Sequence, residues 1–314
     1  MPSVPLKMVD RKAQARLLAW FDEQGRHLPW RQTRDPYRTL VAEVMLQQTQ
    51  TGRVAPSYEM FLQRFPTLDR LARAPAMDVI QAWRGLGYNR RAVDLHRTAQ
   101  AIEREHGGVF PREPAALRRL PGLGEYTSSA IACFAFDAQV PVVDTNVKRV
   151  LARSAVGKDA SEVPADKLAR LSEEWLPEAD AYRWNQALMD VGAMICRVSN
   201  PLCGKCPLRT TCVYMAKGRH RAAPVRTPKR EERFEGSRRQ KRGTIVDHLR
   251  RAARKGITIS ELSRLMHPEG DGDPATLSEI LSKLEREGLA ELTPAARKGS
   301  ARGIVRLPSK AQKR

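Results

Sequence analysis

Leu120-Pro121-Gly122-Leu123-Gly124-Glu125-Tyr126-Thr127 decides the reading of this chain, with Val143-Asp144-Thr145-Asn146 downstream of it. Pro114 to Leu120 carries a helical pattern, Pro-Gly-Leu-Gly makes a tight hairpin, and a second helix opens at Tyr126. Gly122 and Gly124 can take backbone angles closed to other residues. The first amides of the second helix lack internal partners and carry partial positive charge, so the hairpin offers a seat for a phosphate. From the two glycines alone, an ordinary packing corner between helices reads the same way.

Working outward, composition narrows the choice. The 314 residues suffice for two domains and a substantial core. Fifty-five lysines and arginines face 35 acids, and a net charge of +20 makes nucleic acid the first expected partner. No apolar run approaches a spanning helix, and Met1 to Arg11 lacks the hydrophobic core of a secretory signal, so no membrane partner and a cytosolic location are expected. Four of the five cysteines crowd into Cys196, Cys203, Cys206 and Cys212; Cys133 stands apart in an apolar run and reads as core. In a reducing compartment such a cluster reads as a metal site rather than disulfides. The spacing C-x6-C-x2-C-x5-C admits an iron–sulfur cube or a zinc ion.

The rest of the catalytic region is patterned as helices, with no convincing strand alternation. They run over Arg11–Gln24, Tyr37–Thr49, Pro56–Phe65, Met77–Arg84, Arg90–His106 and Tyr126–Phe136, then after Asn146, around Leu168–Trp175 and over Ala181–Cys196. His27-Leu28-Pro29-Trp30-Arg31 reads as an extended turn. Three domains are expected: 1–218, catalytic, with the cysteine loop at 196–212; 219–242, a basic linker; and 243–314, a small winged-helix-like α+β unit. In the last, Ile245, Val246 and Leu249 mark one helix, and Leu277, Ile280, Leu281 and Leu284 another. Thr258 to Leu262 reads as a short strand leading to a helix capped by Ser260. Ala290–Leu292 and Ile304–Leu307 flank a basic loop as a wing. Such a unit either binds DNA or packs on the catalytic region.

The cysteine pattern, the hairpin and Val-Asp-Thr-Asn together resemble the helix–hairpin–helix DNA glycosylases of the endonuclease III branch, over Ala15 to Val213. Leu28-Pro29-Trp30-Arg31, Glu43 through Gln50, Gly85-Leu86-Gly87-Tyr88 and Asn185 through Cys196 match the adenine DNA glycosylase type. The resemblance implies an all-α, two-lobed fold and a [4Fe–4S] cluster on the four clustered cysteines. It implies a monomer acting on double-stranded DNA with A:8-oxoguanine or A:G mispairs, nucleoid-associated.

The residues agree with that chemistry. Cleaving an N-glycosidic bond needs an acid for the leaving base and a carboxylate for the cationic sugar. Glu43, beside Val44 and Leu46 on a helix, can hold its proton by desolvation. Asp144 opens a helix, where the dipole favours an ionised carboxylate. Tyr126 stands where bifunctional relatives carry lysine; a phenol forms no Schiff base, so the resemblance implies base release without strand cleavage. It places Tyr126 and Asn146 near the carboxylates. The target base must leave the stack, and Gln48 and Tyr88 match residues that wedge into the gap. Trp30, Arg31, Leu46 and Gln186 match the adenine pocket. The family's usual C-terminal domain for reading 8-oxoguanine is not matched, so the opposing base stays open; Thr145, in place of a frequent glycine, is a lesser departure. The competing readings are a thymine or uracil glycosylase, and a non-enzymatic DNA-binding protein.

Overall fold

The computed structural model describes residues 10–222, 235–267 and 273–309. Residues 223–234 of the basic linker, with Pro224 and Pro228, and residues 1–9 lie outside them. The chain forms two compact units: residues 1–39, 111–118 and 123–229 make one, and residues 40–110, 119–122 and 230–314 make the other.

The first unit is built on α1 (Arg11–Gln24), α7 (Pro114–Leu117), α8 (Glu125–Phe136), α9 (Thr145–Leu151), α10 (Ala165–Glu174), α11 (Ala181–Asp190) and α12 (Val213–Ala216). The Asp10 carboxylate accepts from Ala13 N at 2.6 Å, closing an orphan amide at the start of α1. α1 lies along α11, and the core gathers Leu17, Cys133, Val147, Leu171 and Trp184. Cys133 is fully buried, as its apolar run implies, and burial pushes its thiol up to about 12. Two differences from the sequence reading bear on the site. Pro29–Arg31 is one turn of 3₁₀ helix rather than an extended turn, with Leu28 before it extended. The helix expected to reach Cys196 stops being α-helical at Asp190 and widens into a π-turn over Val191–Ile195.

The second unit holds residues 40–46 of α2 (Pro36–Leu46), then α3 (Thr51–Arg64), α4 (Leu68–Arg73), α5 (Ala76–Ala82) and α6 (Arg90–His106). Its C-terminal part is α13 (Arg238–Ala252), β1 (Ile257–Thr258), α14 (Ile259–Met266), α15 (Pro274–Arg286), β2 (Glu291–Leu292), α16 (Pro294–Arg297) and β3 (Ile304–Arg306). The strands form an antiparallel sheet in the order β1-β3-β2, with Val305 opposite both Ile257 and Leu292. The cap of α14 is Thr258, whose hydroxyl accepts from Glu261 N at 3.2 Å, not Ser260. Arg238–Arg242, read as linker, is the first turn of α13, because the Ser237 hydroxyl caps it by accepting from Gln240 N.

This C-terminal part does not stand alone. Ile245, Leu249, Leu281 and Leu284 share one core with Met77, Ile80 and Val93. Buried Arg250 donates through Nη2 to Ile80 O and Asn89 Oδ1, both at 2.9 Å, while Gln81 Nε2 donates to Arg250 O at 2.8 Å. Of the two roles open in the sequence, packing on the catalytic region is therefore seen.

Candidate active site

In the first unit Asp144 has two tasks. One carboxylate oxygen accepts from Val147 N at 2.7 Å and caps α9; the other accepts from Asn146 Nδ2 at 2.8 Å. Asn146 is held in turn by Arg149, whose Nη2 donates to Asn146 Oδ1 and to Gly192 O, each at 2.7 Å. Arg149 Nε donates to Cys196 O at 2.6 Å. A continuous run of hydrogen bonds thus joins the cysteine loop to the Asp144 carboxylate. A side chain at Gly192 would bring its Cβ within 2.5 Å of Asn146 Cβ, so the π-turn and this glycine let α9 lie close. The chain leading into Asp144 is fixed by Asn185, which accepts from Val142 N at 2.9 Å and donates to Val140 O at 3.0 Å. Tyr126 is half-buried in the first turn of α8 and packs on the same core.

Trp30 and Gln186, expected in the adenine pocket, are both buried in this unit, at 8% and 5% exposure. Arg31 is committed to Asp190: Nη1 donates to Oδ2 and Nη2 to Oδ1, both at 2.8 Å. Arg26 adds its own amide at 2.8 Å and Nε at 2.7 Å to the same carboxylate. Burial alone would push the Asp190 carboxyl up, but the two guanidiniums outweigh it and hold it below the usual carboxylate range. The Nε of Arg31 is buried with no hydrogen-bond partner among the described residues.

In the second unit Glu43 lies on α2 and is buried, at 4% exposure, as are its chain neighbours Ala42 and Val44. Leu46 is half-buried at the end of that helix, and Gln48 is exposed just beyond it. The helix stops at Leu46, short of the expected Thr49, because Arg91 of α6 takes its last carbonyls. Arg91 donates to Val44 O at 2.9 Å, to Met45 O at 2.8 Å and to Gln47 O. Its other nitrogen reaches Leu86 O and Gly87 O, both at 3.1 Å. Carbonyls that a helix end leaves orphaned are thereby satisfied by one buried cation, whose pKa burial pulls down to about 10. This tie presents Gln48 and Tyr88, which both adopt left-handed backbone, at φ 57° and 44°. Such angles cost free energy in residues other than glycine and gather where function requires them. Tyr88 is half exposed.

The hairpin glycines are exposed. Gly122 adopts φ +83°, and a Cβ there would lie 2.8 Å from Asp94 Cβ in the second unit. Gly124 caps α8 in the first with extended backbone.

Cys196, Cys203, Cys206 and Cys212 all line one cavity, walled also by Val150, Ile195 and Tyr214. Burial raises the Cys206 thiol to about 12 and shifts Cys196 and Cys203 the same way, with Arg153 opposing it at Cys196. Arg153, buried, points Nη1 at Cys196 Sγ at 3.7 Å and donates to Arg197 O at 2.6 Å and Val198 O at 3.0 Å. Four soft donors beside a buried cation fit an anionic metal–thiolate group. Among the described residues no group of three or more His, Cys, Asp or Glu side chains is drawn to the spacing of a single ion. Arg197 and Arg209 each donate to a carbonyl of this loop.

Sequence reasoning missed Arg149, Arg91, Asp190 and Arg26. Asp190 carried a signal: an acid inside the apolar Met189–Val191 stretch needs cationic partners.

A helix–hairpin–helix fold carrying an Asp-capped helix and a four-cysteine cavity defines a class of DNA repair protein, and comparison with known proteins agrees. Residues 41–178 match the HhH-GPD superfamily of base excision DNA repair proteins. An adenine DNA glycosylase of Mycolicibacterium smegmatis is 39% identical over 283 residues, covering 88% of this chain and 92% of that protein. One of Mycobacterium tuberculosis is 43% identical over 256 residues, covering 78% and 81%. The solved structure of a thermostable thymine-DNA glycosylase is 31% identical, with a TM-score of 0.61, covering 66% of this chain and 98% of that one. The chain belongs to the adenine DNA glycosylase family of that superfamily. Among the described residues no helix is long and apolar enough to cross a membrane.

Proposed function

We propose that this glycosylase excises adenine mispaired with 8-oxoguanine or guanine, as a monomer, and leaves an abasic site. Glu43 gives its proton to N7 of the flipped adenine, the bond from N9 to the sugar C1′ breaks, and the bonding pair leaves with the base. Asp144 steadies the resulting oxocarbenium carbon until water adds there, and the proton that water sheds restores the Glu43 acid. Asn146, bonded to one oxygen of Asp144, orients that carboxylate. Tyr126 adds no amine, so no Schiff base forms and the strand stays whole. Trp30, Leu46 and Gln186 line the adenine; Arg31, tied to Asp190, frames them; Gln48 and Tyr88 fill the vacated stack; the amides at Gly122 and Gly124 seat a phosphate.

The observation that carries this reading is Asp144, a carboxylate with one oxygen spent on its helix and the other on Asn146. Burial of the Glu43 side chain supports its part, since a low-dielectric site favours a carboxyl in its neutral form. Cys196, Cys203, Cys206 and Cys212 would hold a [4Fe–4S] cluster, whose contribution is to lock the loop at 196–212 into a fixed shape. The cavity they share, the buried Arg153 and their spacing support that assignment.

Single-turnover assays on A:8-oxoguanine, A:G and T:G duplexes test the reading. Adenine release is expected, with strand nicks only after alkali, and Glu43→Gln is expected to bind duplex normally while releasing no base. The similarity to a thymine-DNA glycosylase keeps a second reading in view. Thymine has no N7 to protonate, so thymine release from T:G that survives Glu43→Gln would favour it.

A further inference from the structure

The second unit contains a cleft of about 1120 Å³ with two walls from distant parts of the chain. One carries Gln48 and Tyr88 on their strained turns; the other is α13, with Arg239, Arg242 and Val246. Three turns of helix separate Arg239 from Arg250, so both face the same lobe. Arg250 holds Asn89, and Arg239 Nη1 donates to the Tyr88 hydroxyl at 2.9 Å. The half-exposed Tyr88 ring lies under two guanidiniums, Arg91 at 5.6 Å and Arg239 at 5.7 Å from its centroid. Five arginines line the cleft against two acids, Asp94 and Glu287, and Glu287 is already paired with Arg242. An exposed ring with cations beside it in a basic cleft is the arrangement on which a nucleobase stacks while its phosphates are neutralised.

The proposed function sets Gln48 and Tyr88 against the nucleotide opposite the excised base, and we infer that Arg239, supplied by the C-terminal part of the chain, makes a direct contact to the base of that nucleotide. The inference rests on the proposed wedge role of Gln48 and Tyr88, because a residue filling the gap left by adenine lies against adenine's former partner. Arg239 is exposed and already oriented by Tyr88, so it meets the partner base without reorganising. An arginine fork matches the O6 and N7 acceptors on the edge of guanine; in the oxidised form N7 is a donor, and the guanidinium meets O6 or O8 instead.

The test uses the full chain and duplexes carrying a non-cleavable 2′-fluoro adenine opposite guanine, 8-oxoguanine or an abasic site. Arg239→Ala is expected to weaken binding about 10-fold when a base is present opposite and to leave the abasic-partner duplex unchanged, the pattern of a base contact. Tyr88→Phe, which keeps the ring and removes the hydroxyl that orients Arg239, should show a smaller loss with the same dependence on the partner. Equal losses on all three duplexes would reduce Arg239 to a phosphate contact, and no loss would remove it from the interface; either outcome overturns the inference. Adenine release by the unaltered protein is scored separately. If it fails, the proposed activity falls, while the binding series still decides whether the cleft takes DNA.

Discussion

At the residue scale, the candidate catalytic aspartate is held by a relay, and the relay sets what substitution should do. Arg149 reaches Asn146, Gly192 and Cys196 at once, so its removal frees the group that orients Asp144. Arg149→Met is expected to lower the single-turnover rate by about 10- to 100-fold, as loss of an orienting partner does. Binding to duplex should change little. Asp144 could be read in the sequence because Val-Asp-Thr-Asn is a short local motif. Arg149 could not, since a basic residue in the last turn of a short helix looks like a solvated charge until the π-turn is folded against it. Asp190 supplies a pH test. Its pKa is lower folded than unfolded, so its stabilising effect is complete above the ordinary aspartate value near 3.8 and fades as pH falls through the folded value. Urea titrations between pH 3 and 6 should show wild-type stability falling at the acid end. Asp190→Asn should begin less stable, by about 3–5 kcal/mol for a broken buried pair, and lack that component of the fall.

At the scale of elements, the helices that the apolar periodicity announced are present, and α1 and α6 have the expected bounds. Two misplaced ends have tertiary causes. α2 stops early where Arg91 collects its carbonyls, and α11 widens where Gly192 meets Asn146. Neither cause is local, so no window of sequence contains it. α4, only six residues long, was too short for a helical period to show. Gly192→Ala checks the close approach: a Cβ 2.5 Å from Asn146 cannot be accommodated in place, and about 1–3 kcal/mol of destabilisation is expected in thermal or chemical unfolding.

At the scale of the whole molecule, the net charge of +20 was legible as a preference for nucleic acid and gives a direct measurement. Duplex affinity should fall steeply as salt rises from about 50 to 200 mM, and the slope counts the phosphates engaged. The class was also legible, because it rests on motifs, and so was the gathering of Cys196, Cys203, Cys206 and Cys212, which line one cavity. The seat of the C-terminal part was not. Ile245, Leu249 and Leu281 announce buried faces, but nothing in their spacing says that the surface covering them includes Met77, Ile80 and Val93.

That shared core sets an order of events during synthesis. The ribosome emits residue 93 well before residue 245, so the earlier segment must wait with Met77, Ile80 and Val93 uncovered while the first unit's helices are made. A nascent chain stalled in that interval shows an apolar face to water, and chaperone capture should peak there and end once α15 emerges.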